Sequence, residues 1–449
     1  MSTSLPAHAR VVIVGGGIAG ASVAYHLTRL GESDVAVLEH GTLTCGTSWH
    51  AAGLIMQLRS SHSLTELSRY NVEFYSRLEA EIGRTVGFKQ NGTLAIARSP
   101  DRLHEIRRSA TIAKSFGIQA ELVGPAQAQE LYPAIDPGRV EGALFIPGDG
   151  QLNPVDAVMA LFAGAKGGGA KVFENTSVEC LQRRPTGFYR IETSSGTLEC
   201  EKLVLCCGLW TPKLAAQLGV RVPLYPCEHM YVVTEAMDFV APTLPVLRDC
   251  DGYVYIKEDA GKLLVGSFEP HGKPRAVENL PAEQRFIELP EDWAHFELPY
   301  VKAMEIIPAL ADVGIARFMN GPESFTPDSL FMLGEAPGAA NCFVAAGFNS
   351  EGFEMGAGAG RAWGHTAPNR PLAAPGRPRP SRRPSTCQPA GRTPSAATRS
   401  PAAGARPCPP HPPAHPTLAL AQRLPWAQGG RNDAETRGLN TLLRPLPGP

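Results

Sequence analysis

The stretch VVIVGGGIAG, residues 11–20, decides the fold of this chain. Its first four residues form an apolar run that is typical of a strand buried on both faces of a parallel sheet. Gly15, Gly17 and Gly20 then give the spacing G-x-G-x-x-G, directly before a helical pattern that ends near Gly31. The run DVAVLE, residues 34–39, predicts the next strand. The sequence therefore predicts a Rossmann-like β–α–β unit that binds a dinucleotide.

The glycine-rich turn is expected to hold the pyrophosphate of the dinucleotide. Free N–H groups and the positive end of the helix dipole lie at such a turn, and both favour an anion. The residues predicted to make this contact are Gly15, Gly16, Gly17, Ile18, Ala19 and Gly20. Glu39 ends the second strand, where a carboxylate accepts ribose hydroxyls and disfavours the 2′-phosphate of NADP. FAD and NAD both remain open on this evidence.

Between residues 222 and 269 the sequence pattern changes from alternating strands and helices to consecutive strands. Strand-like runs follow one another without a helix between them, namely MYVVTE (230–235), YVYIKE (253–258) and KLLVGSFE (262–269). This pattern predicts a second, mostly antiparallel sheet in a domain of its own. The predicted fold class is therefore α/β, with a Rossmann-like domain beside a mostly antiparallel β-sheet domain.

Composition narrows the class of protein. The 449 residues allow two or more domains, and the formal net charge of −1 gives no reason to expect nucleic acid or an anionic membrane as partner. No run of some 18 apolar residues is found, so no membrane span is predicted. The N-terminal residues carry no secretory signal. The ten cysteines form no C-x-x-C pair, so we expect neither a zinc site nor a disulfide framework, and a reducing cytoplasm as the location.

The C-terminal segment, residues 365–449, differs sharply from the rest. It holds 19 of the 41 prolines, and such a composition predicts disorder because little apolar surface is available for burial. A basic interaction tail is one interpretation. The preferred interpretation is an artefact in which GC-rich DNA is translated out of frame.

Seven motifs in order carry a resemblance to a known family. They are VVIVGGGIAGASVAYHL (11–27), TSWHAAGL (47–54), IPGDGQLNP (146–154), CEHMYVVTE (227–235), GPESFTPD (321–328), LGEAP (333–337) and AAGFNSEG (345–352). Residues 10–361 thereby resemble the sarcosine and dimethylglycine dehydrogenases, which are D-amino-acid-oxidase-like flavoproteins. The resemblance implies FAD as cofactor and an N-methyl amino acid as substrate, with hydride transfer from the N-methyl carbon to the flavin and release of formaldehyde.

The resemblance also assigns cofactor contacts. It implies that His50 carries a covalent bond to the flavin, the alternative being a neutral imidazole that caps a backbone group nearby. Trp49 either flanks the flavin or belongs to the core. The other cofactor-binding residues that the resemblance implies are His40, Thr47, Ser48, Gly53, Leu54, Val178, Gly208, Trp210, Gly347, Phe348, Asn349, Ser350, Glu351 and Gly352.

On the substrate side, the resemblance points to His229 and Tyr255 as catalytic residues. An imidazole titrates near neutral pH, so His229 could orient the amine or accept a proton, and a satisfied polar residue between strands is the alternative. Tyr253 is a reserve candidate because period-two alternation places it on the face of Tyr255. Arg248 could pair with the substrate carboxylate, although a surface salt bridge is favoured.

The family pattern also implies a division into domains and a partner. We expect an FAD-binding domain in residues 1–85, 142–220 and 315–364, a substrate domain in 86–141 and 221–314, and an electron-transfer flavoprotein as a possible electron acceptor. The folate-binding domain usual in the family is not found, and the helix after AAGFNSEG is expected to break off at residues 361–364. The alternatives to an enzyme are a regulator resembling the pyruvate dehydrogenase phosphatase regulatory subunit, which lacks the flavin-linking histidine, and an inactive fragment.

Overall fold

The computed structural model describes residues 4–268, 270–281 and 285–366. The disorder predicted for residues 365–449 lies outside the described residues, except at residues 365 and 366, which are helical. Within the described ranges, no helix is both long and apolar enough to cross a membrane.

The helices and strands alternate along most of the chain. The helices are α1 (Ile18–Arg29), α2 (His62–Ile82), α3 (Pro100–Ser115), α4 (Pro125–Leu131), α5 (Pro154–Gly167), α6 (Thr211–Ala216), α7 (Trp293–Ile306) and α8 (Gly352–Thr366). The strands are β1 (His8–Val14), β2 (Val35–Leu38), β3 (Leu54–Ile55), β4 (Thr93–Ala97), β5 (Glu121–Val123), β6 (Gly142–Ile146), β7 (Gly150–Gln151), β8 (Lys171–Phe173), β9 (Val178–Arg183), β10 (Tyr189–Thr193), β11 (Gly196–Leu205), β12 (Tyr225–Thr234), β13 (Val246–Asp249), β14 (Val254–Asp259), β15 (Lys262–Ser267), β16 (Ile315–Phe325), β17 (Met332–Glu335) and β18 (Cys342–Ala346).

The first sheet is built around β1. Its order is β17-β18-β11-β1-β2-β8, with β10 and β9 attached to β11, and β18, β11, β1, β2 and β8 run parallel. Val11 and Ile13 face a core shared with α1, α2, α5 and α8, whereas Val12 and Val14 face a second core on the other side. The apolar run of β1 is thus buried on both faces, and the predicted α/β Rossmann-like fold is confirmed.

The turn between β1 and α1 requires glycine at two positions. Gly15 has a φ of +115°, and a Cβ at this residue would overlap the carbonyl group of Cys206 at the end of β11. A Cβ on Gly20, in the first turn of α1, would overlap the carbonyl oxygen of Gly15. The glycines therefore let helix and strand approach closely and leave the N-terminus of α1 open beside the sheet.

The second sheet has the order β16-β12-β15-β14-β13-β4-β6-β5. Every pair is antiparallel except β13 with β4, which confirms a mostly antiparallel second sheet. β6 and β16 pair here with β4 and β12, although the predicted domain division grouped residues 142–146 and 315–325 with the FAD-binding domain. Only long-range pairing reveals this, because both strands carry apolar runs that suit either sheet.

Helix α8 does not break off at residues 361–364, so that prediction is wrong. The helix continues to Thr366 and packs on α1 and α2. Trp363 is fully buried, with its ring edge-to-face against Phe343 of β18 at 5.2 Å. Gly358 and Gly360 allow this close packing, since a Cβ on either would overlap or crowd Leu67 or Ser22.

We predict that Gly20→Ala lowers the free energy of unfolding by about 2 kcal/mol or more, because the added methyl forces α1 away from the β1 turn. The matched control is Gly167→Ala at the exposed end of α5, where a Cβ meets no atom within 4 Å. That control is expected to be neutral or slightly stabilising. Denaturant unfolding of both variants checks the prediction, and equal midpoints for the two would contradict it.

Candidate active site

The first of two neighbouring cavities, here called the glycine-loop cavity, has a volume of about 480 Å³ and opens at the N-terminus of α1. It collects predicted cofactor residues from six separate segments of the chain. They are Gly15, Gly16, Gly17, Ile18, Ala19, Glu39, His40, Thr47, Ser48, Val178, Gly208, Trp210, Gly347, Phe348, Asn349, Ser350 and Gly352. The structure therefore brings together most of the residues predicted to bind the cofactor.

Glu39 is a buried carboxylate held by three nitrogen donors and by the Cys45 thiol, which donates to Oε1 at 3.4 Å. The N–H of Gly16 donates to its Oε2 at 2.6 Å, the N–H of Gly41 donates to Oε1 at 2.8 Å, and His40 Nδ1 lies 2.8 Å from Oε1. Burial opposes the charge, but the hydrogen bonds from His40, Gly41 and Gly16 outweigh it and lower the pKa of Glu39. An ionised carboxylate thus stands at the wall of the glycine-loop cavity, at the end of β2.

The loop that carries His50 is anchored at both sides. Ser48 Oγ accepts a hydrogen bond from the N–H of Ile18 at 3.0 Å, which ties the loop to the start of α1. Thr47 Oγ1 donates to the carbonyl of Pro322 at 3.5 Å, which ties it to β16 in the second sheet. These bonds hold the short 3₁₀ turn Ser48–His50 between the two sheets.

His50 lies in the wall of the second cavity and is only 3 % exposed. Its ring occupies the space beside Gly321, where a Cβ would lie 2.6–2.9 Å from three ring atoms. Burial lowers the pKa of His50 and the nearby His229 adds to this, whereas Glu323 opposes it. The imidazole is therefore neutral at neutral pH, which is the nucleophilic form of the ring.

The second cavity, here called the sheet cavity, has a volume of about 460 Å³ and is walled on one side by the second sheet. The predicted residues that line it are His50, Gly53, Leu54, His229, Tyr255 and Glu351, together with Asn349 and Ser350 from the wall shared with the glycine-loop cavity. Gly20 and Trp49 line neither cavity. Gly20 packs beneath the glycine turn, and the Trp49 ring stands edge-to-face behind His50 at 5.5 Å.

His229 and Tyr255 form a hydrogen-bonded pair inside the sheet cavity. The distance from His229 Nε2 to the Tyr255 hydroxyl is 3.2 Å, and Phe268 packs against both rings. The two residues lie on β12 and β14, with β15 between them. Gly266 of β15 stands opposite Tyr255, and a Cβ there would overlap the phenol ring. This glycine lets Tyr255 lean across β15 to reach His229.

Two further candidates lie in the sheet cavity in ways the sequence did not predict. Tyr253 precedes β14 with a φ of +60°, so the argument from strand alternation is wrong, yet its side chain lines the cavity. Arg248 of β13 stands directly opposite Tyr255 and also lines the cavity. The favoured surface salt bridge is not found, since no described acidic residue forms an ion pair with Arg248.

Sequence reasoning missed several ionisable residues of the sheet cavity, of which Arg59, Asp149 and Glu323 are described here. Arg59 is buried and pairs with Glu351 at 2.9 Å and with Glu354, so Glu351 is engaged at the start of α8. Asp149 is 1 % exposed and accepts hydrogen bonds from the N–H of Gln57 at 2.9 Å and from its side chain at 3.2 Å. Glu323 of β16, the third, lies in the wall between the two cavities. Asp149 and Glu323 belong to the motifs IPGDGQLNP and GPESFTPD, but only burial distinguishes them from neighbouring residues.

The comparison with known families decides the assignment. The family of FAD dependent oxidoreductases matches residues 10–364. The chain belongs to this family.

Several relatives share about 80 % of this chain. The 4-methylaminobutanoate oxidase (formaldehyde-forming) of Paenarthrobacter nicotinovorans is 44 % identical over 357 residues, which are 80 % of this chain and 43 % of that protein. The mitochondrial sarcosine dehydrogenase of Mus musculus is 36 % identical, covering 81 % of this chain and 40 % of that protein. The mitochondrial pyruvate dehydrogenase phosphatase regulatory subunit of Mus musculus is 35 % identical, covering 80 % and 41 %. The chain thus spans about two fifths of the length of these curated relatives.

The fold has close counterparts among solved structures. The crystal structure of L-proline dehydrogenase from P. horikoshii aligns with a TM-score of 0.74 at 24 % identity, covering 83 % of this chain and 96 % of that one. This likeness confirms the D-amino-acid-oxidase-like fold predicted from the motifs.

The residues present fit FAD, the cofactor of this family. The turn at Gly15–Gly17 offers backbone donors without side chains in the way, and the carboxylate of Glu39 stands at the end of β2. The loop at Gly347–Gly352 closes the opposite wall of the glycine-loop cavity. Both cavities are lined by Ala51, Glu323, Asn349, Ser350 and Phe353, so a long dinucleotide would reach from one into the wall of the other.

Burial raises the pKa of Asp149 to about 6, from 3.8 in the unfolded chain. The folded protein therefore holds this proton more tightly, and its free energy of unfolding should fall as pH rises through that interval. We predict that Asp149→Asn, which keeps an acceptor for Gln57, makes this pH-dependent decrease in the free energy of unfolding smaller by about 3 kcal/mol. Urea unfolding of both proteins from pH 4 to 7 measures the difference, and parallel curves would contradict the prediction.

Proposed function

We propose that this protein is an FAD-dependent oxidoreductase that removes a methyl group from an N-methylated amino acid. The reaction yields formaldehyde and the demethylated amine. The observation that carries this proposal is the junction of the two cavities. Ala51 and Glu323 line both cavities there, while His50 and the His229–Tyr255 pair line the sheet cavity. The family match and the relatives that act on N-methyl amines support it.

FAD, when bound, would supply the two-electron acceptor for a hydride from the N-methyl carbon. The chain's own residues provide the rest. The α1 N-terminus and Glu39 would hold the nucleotide end, while the aromatic side chains of Tyr231, Tyr255 and Phe268 in the sheet cavity would displace water from the reacting carbon. The amine needs its lone pair to release hydride, and His229, paired with the Tyr255 hydroxyl, is placed to orient the nitrogen or accept its proton. Water then adds to the substrate iminium, which releases formaldehyde.

We also propose that His50 attaches the flavin covalently. The buried neutral imidazole at the cavity junction supports this role. The electrons would leave to an electron-transfer flavoprotein or to oxygen, and oxygen consumption during turnover separates the two acceptors.

Acid denaturation tests the covalent link. We predict that yellow colour stays with the wild-type polypeptide, that His50→Ala releases it, and that Gly321→Ala greatly reduces it because the new methyl displaces the His50 ring. The control Gly272→Ala should retain the colour, since a Cβ there makes only ordinary contact with Cys227 at 3.8 Å. Flavin released from the wild type would refute the link, and a wild type that binds no flavin at all would favour the regulator or an inactive fragment.

The substrate is proposed to be sarcosine, dimethylglycine or a longer N-methylamino acid. The position of Arg248 favours the longer type, because this residue lies on β13, on the far side of Tyr255 from His229. The volume of about 460 Å³ leaves room for several methylene groups. The relative named for 4-methylaminobutanoate also supports this candidate.

Formaldehyde release from sarcosine, dimethylglycine and 4-methylaminobutanoate, measured side by side, identifies the substrate. We predict that Arg248→Ala raises KM for the best substrate by about tenfold or more, since a charge-assisted hydrogen bond to its carboxylate is lost. Arg317→Ala serves as the control, because Arg317 pairs with Glu288 at 3.1 Å and does not line the sheet cavity. An unchanged KM in the Arg248 variant would remove the carboxylate-binding role.

A further inference from the structure

Glu323 is a buried acid at the junction of the two cavities. It lies on β16, two residues beyond Gly321, and its neighbour across the ladder is Cys227 of β12. Its side chain lines the glycine-loop cavity and the sheet cavity, while only 4 % of the residue is exposed. It is close enough to His50 and Tyr231 to influence the pKa of both. The acid therefore stands where a bound cofactor and a substrate would meet.

One oxygen of the Glu323 carboxylate lacks a hydrogen-bond partner within the described part of the chain. Oε2 is shielded from solvent and accepts no hydrogen bond from any described residue. His50 does not supply a countercharge, because its burial keeps the imidazole neutral. Arg317, on the same strand, is engaged with Glu288. A buried carboxylate without a partner is costly, so a positive group from a ligand would stabilise it strongly.

The residues around Glu323 indicate which kind of positive group would bind beside its carboxylate. A metal ion is disfavoured, since Glu323 belongs to no group of three potential metal ligands among the described residues. The nearby walls carry Tyr231, Phe268 and the His229–Tyr255 pair, which suit a compact organic cation with methyl groups. An N-methylated amine is protonated at neutral pH and has this character.

We propose that Glu323 binds the positively charged nitrogen of the substrate and orients it toward the cofactor. This inference rests on the proposed function. Glu323 and Arg248 lie on β16 and β13, which are separated by β12, β15 and β14 across the same cavity wall. A zwitterion would therefore bind with its carboxylate at Arg248 and its methylated nitrogen at the cavity junction. The acid would select a cationic nitrogen against an uncharged group of the same shape.

Pairs of probes that differ only in this charge test the inference without turnover. N,N,N-trimethylglycine and 3,3-dimethylbutanoate have the same shape, as do 4-(trimethylammonio)butanoate and 5,5-dimethylhexanoate. The quaternary nitrogens have no lone pair, so these probes bind without being oxidised. Calorimetry on the full chain with its cofactor gives the ratio of dissociation constants within each pair.

We expect the wild type to prefer the cationic member of the better-bound pair by about tenfold or more. Glu323→Gln should bring the two constants to within about threefold of each other, whereas Glu323→Asp should keep the preference. Glu288→Gln is the matched control, because it removes a nearby charge that is half exposed and already paired. The control should keep the wild-type ratio.

The outcomes separate this inference from the proposed function. Equal binding of both members by the wild type, or an unchanged ratio in Glu323→Gln, overturns the role of Glu323 while formaldehyde release still supports the function. Binding of no probe by the wild type, together with no formaldehyde release, overturns both. If Glu323→Gln does not fold, the wild-type ratio and its retention in Glu323→Asp decide the matter.

Discussion

The arrangement of the candidate active site depends on the packing of the His50 ring against Gly321. The histidine belongs to a loop tied to α1 of the first sheet, and the glycine belongs to β16 of the second. Because a side chain at residue 321 would fill the space of the imidazole, the two sheets approach here only with glycine present. The same approach places Glu323 in the wall shared by the two cavities, with the His229–Tyr255 pair in the wall of the sheet cavity. The absence of a Cβ at Gly321 is therefore required both for the packing of the two sheets and for the position of His50.

The buried carboxyl groups that line the two cavities differ in how many hydrogen bonds they accept. Glu39 accepts hydrogen bonds from three nitrogen donors and the Cys45 thiol, and it stays ionised although it is buried. Asp149 accepts hydrogen bonds from the N–H and the side chain of Gln57, but burial outweighs them and raises its pKa. Glu323 has a shielded oxygen without any described donor. A satisfied carboxylate serves as a fixed part of the wall, whereas an unsatisfied one is suited to a charge brought by a ligand.

The parts of the fold that sequence predicts well are local ones. The unit β1–α1–β2 follows from adjacent residues, since its glycine spacing and apolar runs act within 30 residues of one another. The membership of β6 and β16 in the second sheet depends on partners far along the chain, so periodicity does not reveal it. In the site, motif resemblance predicts His50, His229 and Tyr255, and the structure brings them to one cavity. It does not predict Glu323 or Arg59, because their burial and pairing arise only in the folded chain.

The central position of β1 has a consequence for synthesis of the protein. Its neighbours in the sheet are β2, which follows within 30 residues, and β11, which ends at Leu205. The sheet then needs β18, and α1 needs α8, both from beyond residue 340. The packing around β1 and α1 is therefore complete in a nascent chain only after residues beyond 340 have been synthesised. Because residues of the loop at Gly347–Gly352 line the glycine-loop cavity, that cavity too is complete only once this late part of the chain is in place.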